Sequence, residues 1–190
     1  MKIILASNSP RRADLLKMAG ISFVVKSKDV PEVHPENVLP DEIPAFLARQ
    51  KAGAFCTEIL EDELVIGADT VVILGDEIYE KPLDREDAIK MLSALSGKTH
   101  RVVTGVCLLS AKEEITFSDT TYVTFNSLTP TEIAFYVDHF KPYDKAGSYA
   151  CQEWIGAVAI QRFEGDYFNV VGLPVNRVYQ ALKKLGYSVL

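Results

Sequence analysis

The chain has 190 residues, 48% hydrophobic and 24% charged, the usage of one folded domain, and this excludes a disordered segment. Its net charge of −6 opposes a broad nucleic-acid or membrane-surface role, so a small anionic ligand in a local basic pocket is favoured over a polymer. The three cysteines, Cys56, Cys107 and Cys151, form no Cys-x-x-Cys pair, and no apolar run nears the ~18 residues of a membrane span, so free thiols and a cytoplasmic setting are expected.

Ile3 to Ala6 is an apolar run that breaks at Ser7-Asn8-Ser9, with Pro10 at a first helical position: a buried strand feeding a helix. That helix places Leu15, Leu16 and Ala19 inward and stops at Gly20. Arg11 and Arg12 fall in its first turn, where the partial positive charge of unpaired N–H groups disfavours a cation by roughly 0.3–1 kcal/mol. Two readings stand. A phosphate bound at the turn would compensate them, or they are ordinary surface arginines on a solvated turn.

Ile21 to Val25 reads as a strand, and a proline-punctuated loop with Glu32 and His34 leads to a helix over about 41–59, with Phe46, Leu47, Ala54 and Phe55 as core candidates. Lys51 lies on it beside Arg49; local spacing favours a solvated basic face over a site, and Glu32 is uninformative alone. Leu64 to Leu74 is strongly β-like and turns at Gly75-Asp76-Glu77 into Ile78-Tyr79. Within it, Gly67-Ala68-Asp69-Thr70 puts a carboxylate into an apolar strand. A buried ion needs partners or a metal, so Asp69 is a candidate metal ligand or general base, the bland alternative being a satisfied aspartate at a bulge.

Lys81 in Glu80-Lys81-Pro82 could offer a point charge to phosphate, although such exposed triplets are common. Asp84 caps a helix to Leu95 that Gly97 ends. Ser96-Gly97-Lys98-Thr99 looks like the tail of a phosphate-binding P-loop, but the glycine required five residues before Gly97 is Leu92, which excludes that motif.

Arg101 to Leu109 and Ile115 to Phe125 read as an antiparallel strand pair, and Thr129-Pro130-Thr131-Glu132 has capping-box spacing for a helix through about Val137. Residues 141–152 read as a loop. Ala157 to Phe163 and Tyr167 to Val171, flanking Glu164-Gly165-Asp166, read as a second hairpin, and Pro174 opens a terminal helix ending before Gly186. His34, His100 and His139 lack ligand spacing and read as structural or surface residues. With no repeat and no linker, the pattern predicts a mixed sheet with flanking helices in a single α/β domain over 1–190.

In their order along the chain, Ser7-Asn8-Ser9-Pro10-Arg11-Arg12, Gly67-Ala68-Asp69-Thr70-Val71-Val72, Glu80-Lys81-Pro82, Leu95-Ser96-Gly97 and Asp144-Lys145-Ala146-Gly147 resemble the Maf family over nearly the whole chain. The resemblance implies a fold similar to that of the inosine triphosphate pyrophosphatases. It also implies cleavage of a nucleoside triphosphate between the α and β phosphates, giving a monophosphate and pyrophosphate with a divalent metal, Mg²⁺ or Mn²⁺. The family's catalytic aspartate maps onto Asp69, and its acidic and lysine positions onto Glu32 and Lys51. Ser7, Arg11, Arg12, Lys51 and Lys81 then bind the triphosphate, and Glu32 with Asp69 holds the metal.

Arg12, Thr70 and Gln152 occupy the positions at which the family's branches differ, and resemble the dTTP/UTP branch, as opposed to the branch acting on 7-methyl-GTP. One departure is that Ala150-Cys151-Gln152-Glu153-Trp154 stands where many members read Gly-Ile-Gln-Gly. A homodimer is a family-level expectation. The resemblance also admits a reading of a different class, a nucleotide-sensing regulator of cell division that acts through a protein partner.

Overall fold

The computed structural model describes residues 2–31, 33 and 38–187. It is a mixed α/β structure: seven strands in one sheet, ordered β2-β1-β3-β5-β6-β7 with β4 paired to β3, and flanking helices. The chain divides into two compact units, Met1–Asp69 with Thr104–Asp119 and Gly172–Leu190, and Thr70–Val103 with Thr120–Val171. The strands β3 (Glu63–Leu74), β5 (Thr99–Ser110) and β6 (Glu114–Phe125) each contribute residues to both units, so no linker marks the division in sequence.

In the first unit, β1 (Lys2–Leu5) pairs parallel with β2 (Phe23–Val25) and with β3, Ile3 standing opposite Phe23 and Leu64. The helix α1 (Pro10–Met18) buries Leu15 and Leu16, and Gly20 takes the positive φ of 70° that ends it. The next helix, α2 (Ile43–Gly53), is shorter than its apolar pattern. After Gly53 the bonds tighten, Phe55 N to Ala52 O and Cys56 N to Gly53 O, and this turn brings Phe55 into the core with Ala48, Ala52 and Val65. The last helix of this unit, α7 (Val175–Lys184), buries Val178, Ala181 and Leu182.

Two glycines of the sheet lie directly under α2. A Cβ on Gly67 of β3 would lie 2.3 Å from Ala48 O and 2.9 Å from Ala52 N, and one on Gly105 of β5 would lie 2.1 Å from Ala45 N. Helix backbone therefore rests directly on strand backbone, closer than any side chain permits.

In the second unit, β4 (Glu77–Tyr79) closes the expected hairpin on β3, with Val72 opposite Tyr79. Asp84 accepts from Asp87 N at 2.9 Å to start α3 (Arg85–Leu95). The capping box of α4 (Pro130–Phe140) forms, Thr129 N donating to Glu132 Oε2 at 2.7 Å and Glu132 N to Thr129 Oγ1 at 3.3 Å. A 3₁₀ turn, Ala146–Ser148, interrupts the polar loop.

The second hairpin does not form. Residues Trp154–Ala159 are helix α5, only β7 (Ile160–Glu164) is a strand, antiparallel to β6, and Tyr167–Val171 is helix α6. The strand-like composition of Tyr167 to Val171 is overridden because Asp166 Oδ1 accepts from Phe168 N at 2.8 Å, starting a helix. It is also overridden because Asn169 is buried, donating to Val102 O and Thr121 Oγ1, both at 3.0 Å.

His100 is buried among Phe125 and Tyr149, its Nε2 2.8 Å from Tyr149 Oη, while His139 is exposed and His34 lies outside the described residues. Among the described residues no helix is long and apolar enough to cross a membrane.

Two outcomes follow. Gly67→Ala should lower unfolding free energy by about 1–3 kcal/mol in denaturant titration, because the clash is with helix backbone. Burial also lowers the His100 pKa to about 4, so between that value and the ordinary 6.5 only the unfolded chain binds the proton. Stability is therefore full above pH 6.5 and falls as the pH drops to about 4, by about 3 kcal/mol for this group. In His100→Gln, melts across that range should show a flatter decline.

Candidate active site

The strand β1 ends at Leu5, and the turn to α1 is organised by Ser7. Ser7 is buried and its Oγ accepts from Ser9 N at 3.2 Å. The Ser9 N-cap makes no side-chain cap bond and the first turn holds no acidic residue, so the two arginines lie at the positive end of the helix. Arg12 does not extend into solvent. Its Nε donates to Gly172 O at 2.9 Å, and its Nη1 to Ser7 Oγ at 3.1 Å and Ala68 O at 2.8 Å. These three acceptors are neutral and fix the guanidinium plane, so the cation is held in place against the helix dipole.

The Ala68 carbonyl links this turn to Asp69, the next residue of β3. Asp69 Oδ1 lies 2.6 Å from Lys51 Nζ, with side-chain exposures of 13% and 17%. Local spacing alone favours a solvated basic face for Lys51, and that reading is corrected. Arg49 is the exposed residue, paired with Glu114 at 2.7 Å, whereas Lys51 sits on the part of α2 that rests on Gly67. A half-buried ion pair of this kind is strongly coupled, since loss of either partner leaves a charge poorly solvated. The aspartate faces an ammonium.

The first unit therefore brings together Ser7, Arg12, Lys51 and Asp69, with Arg11 half-buried on the same helix turn as Arg12. Thr70, half-buried, opens the second unit, to which the exposed Lys81 and the exposed Gln152 also belong. Glu32 lies outside the described residues. The carbonyls of Ala68 and Gly172 were not foreseen. They act through backbone oxygen, 56 and 160 residues from Arg12, and carry no local signal.

Among the described residues no group of three His, Cys, Asp or Glu side chains is placed to hold a metal ion. A lone carboxylate such as Asp69 still fits a magnesium-like ion that arrives on substrate phosphates, because such ions take one or two carboxylates and fill the remaining positions with phosphate and water.

The fold is similar to that of the Ham1 protein of Staphylococcus aureus, with a TM-score of 0.54 at 18% identity over 98% of this chain and 100% of that one. A protein of Bacteroides fragilis named dTTP/UTP pyrophosphatase is 50% identical over 185 residues, 97% of this chain and 96% of the relative. One of Porphyromonas gingivalis with the same name is 49% identical over 190 residues, 98% and 96% of the two chains. Residues 2–185 match the family of Maf-like proteins, and the chain belongs to that family.

Proposed function

We propose that the chain is a nucleoside triphosphate pyrophosphatase that hydrolyses dTTP and UTP to the monophosphate and pyrophosphate, the substrates in the names of its relatives. The observation that carries this reading is the Lys51–Asp69 pair, 2.6 Å apart, beside an Arg12 fixed by Ser7 and Ala68.

In the reaction, the Ser7–Arg12 turn and the N-terminus of α1 hold phosphate oxygens, joined by Arg11, Lys51 and Lys81. Asp69 orients the attacking water and accepts its proton as oxygen bonds to phosphorus and the α–β bridge breaks, pyrophosphate leaving with the bridging oxygen. Lys51 plays two parts, since it balances Asp69 at rest and offsets phosphate charge as it shifts. Asp69 and Glu32 would hold a divalent cation, Mg²⁺ or Mn²⁺, brought with the substrate, and when bound it would add charge neutralisation and acidify a bound water.

Thr70 and Gln152 meet the pyrimidine edge, for which the Gln amide offers both a donor and an acceptor. Three free cysteines, Cys56, Cys107 and Cys151, fit a reducing, cytoplasmic setting.

Incubation with dTTP and Mn²⁺ should release dTMP and pyrophosphate in equal amounts, and orthophosphate as primary product would overturn the α–β cleavage. Asp69→Asn should lower kcat by on the order of 10²–10⁴-fold while nucleotide binding, measured by calorimetry, persists. A wild-type protein that binds dTTP without turnover would instead support the sensing role. Gln152→Ala should erode the preference for dTTP over GTP more than it slows turnover, by about tenfold in the ratio of kcat/KM.

A further inference from the structure

Tyr136 stands on α4, fully buried, its ring stacked on Phe140 at 5.0 Å and nearly parallel to Trp154 at 6.4 Å between centroids. Its hydroxyl makes two hydrogen bonds to a single loop. It donates to Glu153 Oε2 and accepts from Ala150 N at 3.2 Å. These partners lie on either side of Cys151 and Gln152, so one rigid phenol ties the chain before and after the glutamine.

The other Glu153 oxygen, Oε1, lies 3.4 Å from Lys145 Nζ, which also donates to Asp144 Oδ1 at 2.7 Å. The Lys145 side chain is only 9% exposed, so this charge has little water to fall back on. Backbone bonds complete the frame: Ser148 N to Lys145 O, Gly147 N to Glu80 O and Glu153 N to Ala150 O, each 3.1 Å. Ser148 is held at a φ of 62°, a left-handed conformation costly for a non-glycine residue and kept only where the surroundings determine it. Within this frame Gln152 itself is exposed.

We infer that Tyr136, through Glu153 and Ala150 and with Lys145 behind them, is a positioning residue for Gln152 that fixes the loop presenting its amide to the pyrimidine; this rests on the proposed base contact of Gln152. Polar discrimination between bases needs donors and acceptors held to a fraction of an ångström, which a glutamine on a loose loop does not supply. Burial, and then the Glu153 carboxylate, raises the Tyr136 pKa, so the phenol remains a donor.

The experiment compares hydrolysis of dTTP, UTP and GTP by the wild type, Tyr136→Phe, Gln152→Ala and the double variant. Fluorescence anisotropy of Trp154, the single tryptophan, reports loop order. Tyr136→Phe is expected to keep kcat for dTTP within about twofold, raise KM about tenfold and lower the dTTP/GTP preference about tenfold, with reduced Trp154 anisotropy. In the Gln152→Ala background it should lower the preference no further.

A Tyr136→Phe protein with wild-type KM and preference, alongside a Gln152→Ala protein that has lost preference, would overturn the positioning role and leave the base contact standing. Additive losses in the double variant would also overturn it. Unchanged preference in Gln152→Ala would overturn the base contact and this inference together. Should Tyr136→Phe fail to fold, Glu153→Ala takes its place with the same expected losses. Glu153→Gln, which keeps an acceptor for the phenol, should restore preference; equal loss in both would overturn the role.

Discussion

The first unit depends on one close approach, the backbone of α2 against Gly67 of β3. An α-helix normally stands off a sheet by the thickness of two layers of side chains. Here one layer is missing, because a Cβ at Gly67 would lie 2.3 Å from Ala48 O and one at Gly105 would lie 2.1 Å from Ala45 N. The approach fixes the helix along and around its axis. Three residues after Ala48, Lys51 is carried to the level of Asp69, two residues after Gly67, and the 2.6 Å ion pair follows. Neither charged side chain could be brought so far out of water by its own attraction, which in such pairs barely offsets desolvation. Packing brings them together, and the ion pair then makes the packing specific.

The same unit resolves the electrostatic oddity of two arginines at a helix N-terminus. An orphan cation there would be mildly destabilising, but Arg12 is held by Gly172 O, Ser7 Oγ and Ala68 O. Those oxygens point their negative ends at the guanidinium and offset the helix dipole. The guanidinium is thereby oriented, with little side-chain freedom left.

What was legible in sequence was whatever local chemistry decides. Asp69 stood out because a carboxylate in an apolar strand is costly, and the strand is indeed central, between β1 and β5. The caps at Asp84 and at Thr129–Glu132 were legible because capping is a contract among residues three apart. Lys51 was legible only through the family resemblance and not from local spacing, since its partner is 18 positions away and α2 packing joins them. The Tyr167–Val171 helix was also missed. Its aromatic and β-branched residues favour a strand, and the deciding contacts are Asp166 at its start and the buried amide of Asn169 on Val102 and Thr121.

Residues 141–152 read as a polar loop in sequence, and the polarity of the stretch that runs on to Glu153 has a different meaning in the fold. Lys145 and Glu153 are turned inward, Lys145 on Glu153 and Glu153 on Tyr136 of α4, while the chain runs through left-handed φ at Gly147 and Ser148. Buried polar networks are costly when half-satisfied and rigid when complete, because each bond removed leaves a partner without water. An apolar anchor at Tyr136 would hold the loop by shape alone and tolerate sliding by a fraction of an ångström. A hydroxyl that must satisfy Ala150 N and Glu153 together does not. The arrangement trades adaptability for a single loop geometry, and one amide side chain, Gln152, is exposed at the centre of that frame.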